Sequence, residues 1–348
     1  MHVSAQSLVK EEQPDDSLKT SLSVYPLLFY YPETRLGIGV TGVLSFFPGK
    51  EKGKRPSQLL TGLAYTGNRQ ILLSTFFDLF LMQDQLQVEG EVAYYDYFYP
   101  YYGLSNKTEP EVKEKYFVRF PRLRANVLRS IHPHWKVGLG VEYDGYKIIE
   151  IAEKGSLDRE RPLGWDGSQV FSASVLLRLD SRDRVYSPQK GALATFTQSF
   201  SPEGVGTGNY SRSDFIGAYY QGLWKKSVLA LNMKVGHITG EAPFQERFYL
   251  GGAKNGRGII QGRYRGEDRL LFQAEVRQSF LPRWGATLFA STGTVADHFD
   301  QVFSTTYHTN AGGGIRFMLQ PKTGLNFRLD CASGDEGLQF YFSVGETF

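Results

Sequence analysis

Hydrophobic and polar residues alternate along most of this chain. In the segment at the carboxyl end, one face carries Leu338, Phe340, Phe342, Val344 and the terminal Phe348. The intervening positions are mostly polar or small. A period of two places successive side chains on opposite faces of an extended strand. The pattern therefore predicts β-strands, each with one apolar and one polar face.

The same alternation predicts about sixteen strands of roughly 10–15 residues, the even number and length typical of an outer-membrane barrel. The expected spans are 21–31, 35–47, 57–66, 70–82, 85–98, 115–131, 134–148, 168–180, 190–201, 209–223, 226–238, 267–281, 284–295, 306–318, 323–332 and 337–348. We therefore expect an all-β fold, a transmembrane antiparallel β-barrel.

The links between these segments alternate in length over the second half of the chain. Trp224-Lys225, Pro282-Arg283 and Gln320-Pro321-Lys322 predict tight turns, whereas 149–167, 239–266 and 296–305 are long. Short periplasmic turns opposite long external loops are the layout of a membrane barrel. The basic link 48–56 is an exception, being long on the expected periplasmic side, and we interpret it as a solvated turn.

Composition narrows the class further. Aromatic residues make up 14% of the chain, and no segment reaches the roughly 18 consecutive apolar residues of a membrane helix. A soluble β-sandwich or propeller fits the composition equally well. The only cysteine is Cys331, which excludes an intrachain disulfide and a cysteine metal cluster. A net charge of +3 does not indicate a nucleic-acid partner.

The amino-terminal residues suggest secretion. Val3-Ser4-Ala5 before Gln6 has the small residues of a signal-peptide cleavage site, although no apolar core precedes it. We expect residues 1–20 to be a signal remnant and disordered lead, and 21–348 to form one barrel. About twenty residues are too few for a folded periplasmic module.

The most specific motif lies in the longest link, in the stretch from Gly251 to Arg265 that contains Arg257-Gly258 and Gly262-Arg263. It resembles the sixth-loop signature of the bacterial surface antigen family, the superfamily of BamA, TamA and the two-partner secretion transporters. The resemblance implies that Arg257-Gly258 tips a loop folded back into the lumen. The family usually has an aromatic residue next, where this chain has Ile259.

Two further motifs support this resemblance. Asp180-Ser181-Arg182-Asp183, followed by Pro188 and Gly191, resembles a turn motif of the family, which we place on the periplasmic side. The terminal Phe348 matches the family's carboxyl-terminal strand. The resemblance extends from about residue 21 to the end of the chain.

The partners of Arg257 can be expected from charge and parity. A guanidinium inside a narrow lumen needs carboxylates, because an unpaired buried charge is very unfavourable. Glu275 and Asp330 fall on the polar faces of their strands. The family usually has an Asp near the end of the thirteenth strand, where this chain offers Ser291. A latch through Ser291 would be weaker or differently connected.

The first and last strands both contain weakening residues. Pro26 lies in the first predicted strand and donates no ladder hydrogen bond. Gly345 near the end of the last strand brings no side chain to pack and permits a bend. We therefore expect a seam, defined by Pro26, Gly345 and Phe348, that opens more easily than other strand pairs. The resembling family is thought to open there and to add a client strand. A first strand that simply begins at Pro26 is the alternative.

Residues for covalent chemistry are not prominent. His132 and His134 flank a proline in a predicted turn, which favours surface residues over a metal site. An outer-membrane lipase would place Ser and His on the outer wall, where His237 and His308 are candidates with no supporting motif. We expect no enzyme activity, no metal and no cofactor.

The resemblance implies a protein of the bacterial outer membrane that assists insertion or translocation of client proteins. Expected partners are outer-membrane lipid and lipopolysaccharide, with client proteins or a partner in an envelope complex, and not nucleic acid. A passive channel or a scaffold subunit is the alternative. An envelope hydrolase is a third alternative, which no residues in the sequence support.

Overall fold

A computed structural model of the chain describes residues 20–48, 56–108, 113–320 and 324–348. The barrel strands are β1 Ser21–Tyr31, β2 Arg35–Phe46, β3 Ser57–Thr66, β4 Ile71–Leu81, β5 Leu86–Tyr101, β6 Glu114–His132, β7 Trp135–Glu150, β8 Gly167–Asp180, β9 Gly191–Ser201, β10 Asn209–Gly222, β11 Ser227–Glu241, β12 Asp268–Ser279, β13 Trp284–Ala296, β14 His308–Gln320, β15 Leu325–Gly334 and β16 Gly337–Val344. Each predicted segment matches one strand within a few residues.

These strands form one closed antiparallel sheet. Each strand pairs with its neighbour in the chain, and β16 pairs with β1 to close the barrel. Closure brings the two end strands together, and the other neighbouring strands pair their backbone along the sheet, as a bilayer-spanning protein requires. The predicted fold class is therefore confirmed, and the soluble sandwich or propeller is excluded.

The two faces of the sheet differ in polarity. On the outer face, Leu139 and Leu288 are 67% and 72% exposed, whereas the lumen residues Asp144 and Asp330 are fully buried. Exposed tryptophans stand near the ends of strands on the short-turn side, at Trp135, Trp224 and Trp284. An apolar outer wall with an interfacial aromatic girdle is the arrangement of a membrane barrel.

Within the described ranges, no helix has both the length and the apolar character needed to cross a membrane.

The links follow the predicted asymmetry only in part. Tight turns at 223–226 and 280–283 lie opposite long loops at 151–166, 242–267 and 297–307. On the long-loop side, however, the links next to the seam are short. Residues 32–34 join β1 to β2, and residues 335–336 join β15 to β16. The lead 1–19 and most of the 48–56 link lie outside the described residues, as do residues 321–323.

Aromatic side chains fill part of the lumen. Tyr95, Tyr97 and Tyr101 of β5 pack with Tyr116 and Phe120 of β6 in one buried cluster. Lumen-facing positions were expected to be polar, and tyrosine meets that pattern with a hydroxyl while still burying a ring. This cluster forms the wall against which the longest loop packs.

Candidate functional site

The loop 242–267 enters the lumen on a structured base. Phe244 is fully buried, and its ring lies 5.8 Å from that of Tyr101 and 5.3 Å from that of Tyr116. Two short strands, Phe248–Leu250 and Tyr264–Gly266, then pair antiparallel. The tip between them is thus held at both ends, which reduces the entropy lost when it is fixed inside the barrel.

Arg257 sits at the tip of this loop and is 2% exposed. One guanidinium nitrogen donates to Asp330 Oδ2 at 2.6 Å, and the other donates to Glu275 Oε1. Its Cζ lies 3.4 Å from the centroid of the Phe289 ring. The pairing expected from parity is present, and it joins the loop tip to β12 and β15 at once.

Both carboxylates bind a second arginine. Glu275 Oε2 accepts from Arg277 Nε at 2.9 Å, and Asp330 Oδ1 accepts from Arg316 Nη1 at 2.6 Å. Charge-assisted bonds of this kind are roughly twice as strong as neutral ones. The tip is therefore held by a network in which no carboxylate depends on Arg257 alone.

The backbone conformation at position 258 explains why a glycine follows Arg257. Its φ is +104°, a region that side chains rarely adopt, and a Cβ there would lie 3.0 Å from the carbonyl of Ser333. Its backbone N–H donates to the Tyr341 hydroxyl at 2.9 Å. The Arg-Gly pair thus binds β12, β15 and β16 together. Ile259, in the place of the family's aromatic residue, is buried beside Leu250.

Arg263 forms a second anchor at the external side of the loop. Its guanidinium donates to the Thr108 carbonyl at 2.7 Å, pairs with Glu336 at 3.1 Å and lies 4.4 Å from the Tyr102 ring centroid. Gly262 precedes it with a φ of +77°. These contacts join the long loop to the neighbouring loops 102–108 and 335–336.

Among the described residues, Ser291 forms no hydrogen bond with Arg257, which corrects the expectation of a serine latch partner. Its hydroxyl donates to Asn310 Oδ1 on the next strand. A Cβ on Gly256 would lie 3.8 Å from Ser291 Oγ, so the serine lines the tip's seat. A serine hydroxyl carries no charge, and the charge of the guanidinium is already paired with the two carboxylates.

The motif at 180–191 closes the link between β8 and β9. Arg182 forms a two-point ion pair with Asp180, at 2.9 Å for each contact. Asp183 Oδ1 accepts the backbone N–H groups of Gln189 and Lys190. Pro188 is buried in this link, and Gly191 begins β9 with a φ of +101°. The motif residues therefore fix one turn on the short-turn side.

The carboxyl-terminal residues differ from the expectation. The alternation placed Phe348 on the same face as Phe340, but β16 ends at Val344. Gly345 has a φ of +86°, which breaks the parity, and the residues after it turn into the lumen. Glu346 there binds Arg316 at 2.9 Å, and a main-chain oxygen of Phe348 accepts a bond from Arg277 at 3.0 Å.

The sequence interpretation missed a second ion network. On β6 and β7, the register pairs Arg122 with Asp144 and Arg124 with Glu142. Arg122 binds Asp144 through two contacts of 2.7 and 2.6 Å. Glu246, at the base of the loop, lies close to Glu142 and Asp144. Because arginines already pair with Glu142 and Asp144, we interpret the cluster as an ion-pair network. Burial and the nearby Glu142 raise the pKa of Glu246 to about 7.

The histidines named from the sequence lie in separate places, and His308 stacks on Tyr264 of the long loop with ring centroids 3.6 Å apart. The rings of His132 and His134 are 6.4 Å apart in a turn. His237 pairs with Asp268, and His308 pairs with Asp335 at 2.8 Å. His237 and His308 each contact a carboxylate, whereas His132 and His134 are exposed.

Comparison with known proteins places the chain in a family. Residues 53–348 match the Omp85 superfamily domain, which covers most of the chain, and the protein belongs to that superfamily. It is an outer-membrane β-barrel of the class whose members act in transport and assembly rather than as enzymes. The curated proteins searched contain no significant match to this sequence.

Solved structures show the same barrel at low sequence identity. BamA from Haemophilus ducreyi lacking POTRA domains 1–3 is 14% identical with a TM-score of 0.67, over 94% of this chain and 70% of that one. CdiB from Escherichia coli is 11% identical with a TM-score of 0.64, over 97% and 63%. CdiB from Acinetobacter baumannii is 13% identical with a TM-score of 0.58, over 93% and 60%. The chain thus spans less than two thirds of either CdiB chain.

Proposed function

We propose that this barrel assists the insertion or translocation of client proteins at the outer membrane, and that the seam between β1 and β16 receives the client. Membership of the Omp85 superfamily supports the general role. The observation that supports the site is the difference between the two sides of β1. The loop latch at Arg257 is part of the proposal as the element that keeps the lumen closed from outside.

The first strand is paired very unequally. β1 is in register with β2 from Ser21 to Tyr31, eleven residues, but with β16 at a single position, Tyr30 and Phe342. An edge that offers unpaired backbone N–H and C=O groups is a template for another strand. Strand addition would supply affinity through main-chain hydrogen bonds and tolerate varied client sequences.

Two features keep the seam short. Gly345 ends β16 and diverts the chain into the lumen, where Asn326 and Arg316 bind Glu346 at 2.8 and 2.9 Å. Pro26 removes one backbone donor from β1. The client's strand would therefore compete with one registered pair rather than with a full ladder.

A disulfide lock tests this site. In a Cys331→Ser background, Tyr30→Cys with Phe342→Cys places two cysteines at the registered seam position, within reach of a disulfide. The matched control is Tyr30→Cys with Leu36→Cys, which links β1 to β2 at a registered pair. The assay is folding of an unfolded outer-membrane barrel into liposomes that contain the protein, followed by its heat-modifiable gel shift.

The seam lock should abolish client folding, and reduction should restore it, whereas the control lock should have little effect. Full activity with an efficiently locked seam would refute the seam proposal and favour the alternative of a passive channel or scaffold. A pull-down from native membranes separates the roles further. Unfolded barrel clients support assisted insertion, and one stable stoichiometric partner supports a scaffold.

The proposed partners follow from the surface. The apolar outer face would contact outer-membrane lipid and lipopolysaccharide, with clients entering at the seam. Detergent-extracted protein analysed for bound lipid would test the first contact, and cross-linking from Tyr30 would test the second.

A further inference from the structure

The loop 102–108 crosses the external mouth of the barrel and is fastened through Asn106. This loop joins β5 to β6, whereas the partners of Asn106 lie on β13 and on the loop before β14, at the opposite side of the sixteen-strand barrel. The side-chain nitrogen donates to the Thr306 carbonyl at 2.8 Å and to the Thr305 hydroxyl at 3.1 Å. The side-chain oxygen accepts from the Val295 N–H at 3.2 Å. We call the loop 102–108 the strap.

His308, the first residue of β14, holds the strap with both nitrogens of its ring engaged. Its Nε2 lies 3.0 Å from the carbonyl oxygen of Asn106, and its Nδ1 lies 2.8 Å from Asp335 Oδ2. The ring stacks on Tyr264, whose hydroxyl donates to the same oxygen of Asp335 at 2.8 Å. One side chain therefore joins β14 to the strap, to the link between β15 and β16, and to the long loop.

Both ring nitrogens of His308 face oxygens that only accept hydrogen bonds. A main-chain carbonyl has no proton to donate, and neither has an ionised carboxylate. A neutral imidazole carries one N–H and one bare nitrogen, so it could satisfy one contact and would set two lone pairs against each other in the second. The imidazolium donates from both nitrogens. The two contacts of His308, with Asn106 and with ionised Asp335, therefore require a bound proton.

The charges around His308 also favour a cation there. The link between β15 and β16 carries two carboxylates, and Arg263 of the long loop pairs with one of them, Glu336, at 3.1 Å. Glu33 of the neighbouring link faces the tip of the long loop instead. No bond or ion pair with His308 is formed by the other titratable groups described on the surrounding loops, which are Lys107, Lys113, Asp297, His298, Asp300 and Tyr307. Asp335 therefore remains as the counter-ion of an imidazolium.

We propose that a proton on His308 fastens the strap across the external mouth, and that loss of this proton releases the strap. The fastened mouth binds one more proton than the released mouth, so its stability increases as the pH falls and is lost as the pH rises. Histidine is the side chain whose charge ordinarily changes between about pH 5 and 8. Release would free the long loop at its external end, while Arg257 still holds its tip. The strap needs neither a client nor an open seam.

Amide hydrogen exchange of the full chain in detergent reports whether the strap is fastened. The N–H of Val295 is bonded to Asn106 Oδ1 at 3.2 Å, and the N–H of Arg265 is bonded to the Ser105 carbonyl at 3.4 Å. Both amides lose these partners when the strap leaves. Their protection factors, corrected for the pH dependence of intrinsic exchange, should fall about tenfold between about pH 5 and pH 8, as the loss of one hydrogen bond to a charged group predicts.

Two variants assign the pH dependence to one residue. His308→Gln cannot gain the proton, so protection of the strap should no longer change between these pH values. His237→Gln is the matched control, because His237 also binds an aspartate, Asp268, but through Nδ1 alone among the described residues. It should keep the pH profile of the wild type. A pH profile in His308→Gln identical to that of the wild type, or wild-type protection that does not change with pH, would overturn the proposal.

The protonation state of His308 can also be measured in the wild type. Nitrogen-15 chemical shifts of labelled histidine distinguish the imidazolium from both neutral tautomers, and the spectrum of His308→Gln assigns the signal. His308 should be an imidazolium wherever the Val295 amide is protected, and its deprotonation should coincide with the loss of that protection. A neutral ring at His308 in protein whose strap is fully protected would overturn the proposal, and would place the proton on Asp335 instead.

Discussion

Replacing Arg257 with alanine perturbs the contact on which the position of the long loop depends. The guanidinium binds Asp330 at 2.6 Å, binds Glu275 and covers the Phe289 ring. Breaking a buried ion pair by removing one partner costs about 3–5 kcal/mol. Since Arg277 and Arg316 remain on the two carboxylates, we expect a value at the lower end, about 3 kcal/mol.

A loss of this size changes loop opening far more than barrel stability. About 1.4 kcal/mol corresponds to a factor of ten, so the open population of the tip should rise about 100-fold. Trypsin should then cut at Lys254 and Arg263, and amide hydrogen exchange of residues 251–263 should accelerate. The heat-modifiable band of the barrel should remain, because the sixteen-strand ladder does not involve the tip.

Two further variants decide whether the reasoning is correct. Arg257→Lys keeps the charge but cannot bridge both carboxylates with a planar fork, so it should show an intermediate rate of cleavage. Arg161→Ala removes an arginine whose pair with Asp158 is largely exposed, and it should change little, since exposed pairs contribute about 0–1 kcal/mol. Wild-type protection in both Arg257 variants would refute the latch.

Two other predictions concern the barrel and the first loop. The protein should be extracted only by detergent and should migrate faster on gels unheated than boiled, and recovery of folded monomer in detergent-free buffer would contradict a membrane barrel. Burial raises the pKa of Glu33, in the link 32–34, from 4.5 to about 7. The folded state therefore favours the protonated form, so this contribution to stability is complete below about pH 4.5 and is lost as the pH rises through about 7. Glu33→Gln should raise the free energy of unfolding at pH 8 by up to about 3 kcal/mol and leave it unchanged near pH 4. Equal melting temperatures of the wild type and Glu33→Gln at pH 8 would contradict this prediction.

The strands were predictable because two different solvents act on the two faces of the sheet. Hydrocarbon selects Leu139 and Leu288 outside, while the lumen selects Asp144 and Asp330 inside. Parity within a strand then gives the face of every residue. It is also why Glu275 and Asp330 could be named as partners of Arg257 before any geometry was known.

Register between strands was not predictable in the same way. Alternation shows that Arg122 and Asp144 both face inward, but not that β6 and β7 place them side by side. Register depends on turn geometry and on the packing of one whole face, which a single strand's pattern does not contain. The ion network around Glu246 was missed for this reason, since its members come from three separate segments.

The backbone conformation at single residues also could not be predicted from the side-chain pattern. Phe340 and Phe348 have the same parity, so alternation placed them on one face, with Glu346 as an interruption between them. A positive φ at Gly345 reverses that assignment and brings Glu346 to Arg316. Glycine permits a positive φ without requiring it. The ion pair of Glu346 with Arg316 in the lumen explains why the chain adopts this conformation here.

The loop tip and the seam are secured by very different interactions, and this difference separates the motions available to the barrel. Withdrawing the loop requires breaking the bonds of Arg257 to Glu275 and Asp330, all three of which are buried. Opening the seam requires breaking one registered pair, Tyr30 with Phe342, and separating the buried rings of Tyr31 and Tyr341, whose centroids lie 6.5 Å apart. It breaks the bond from Gly258 to Tyr341 only if β16 moves away from the tip. Since β12 and β15 hold Arg257 and neither pairs with β1, the bonds of Arg257 do not have to break when the seam parts. A client strand could therefore be received without opening the lumen to the outside.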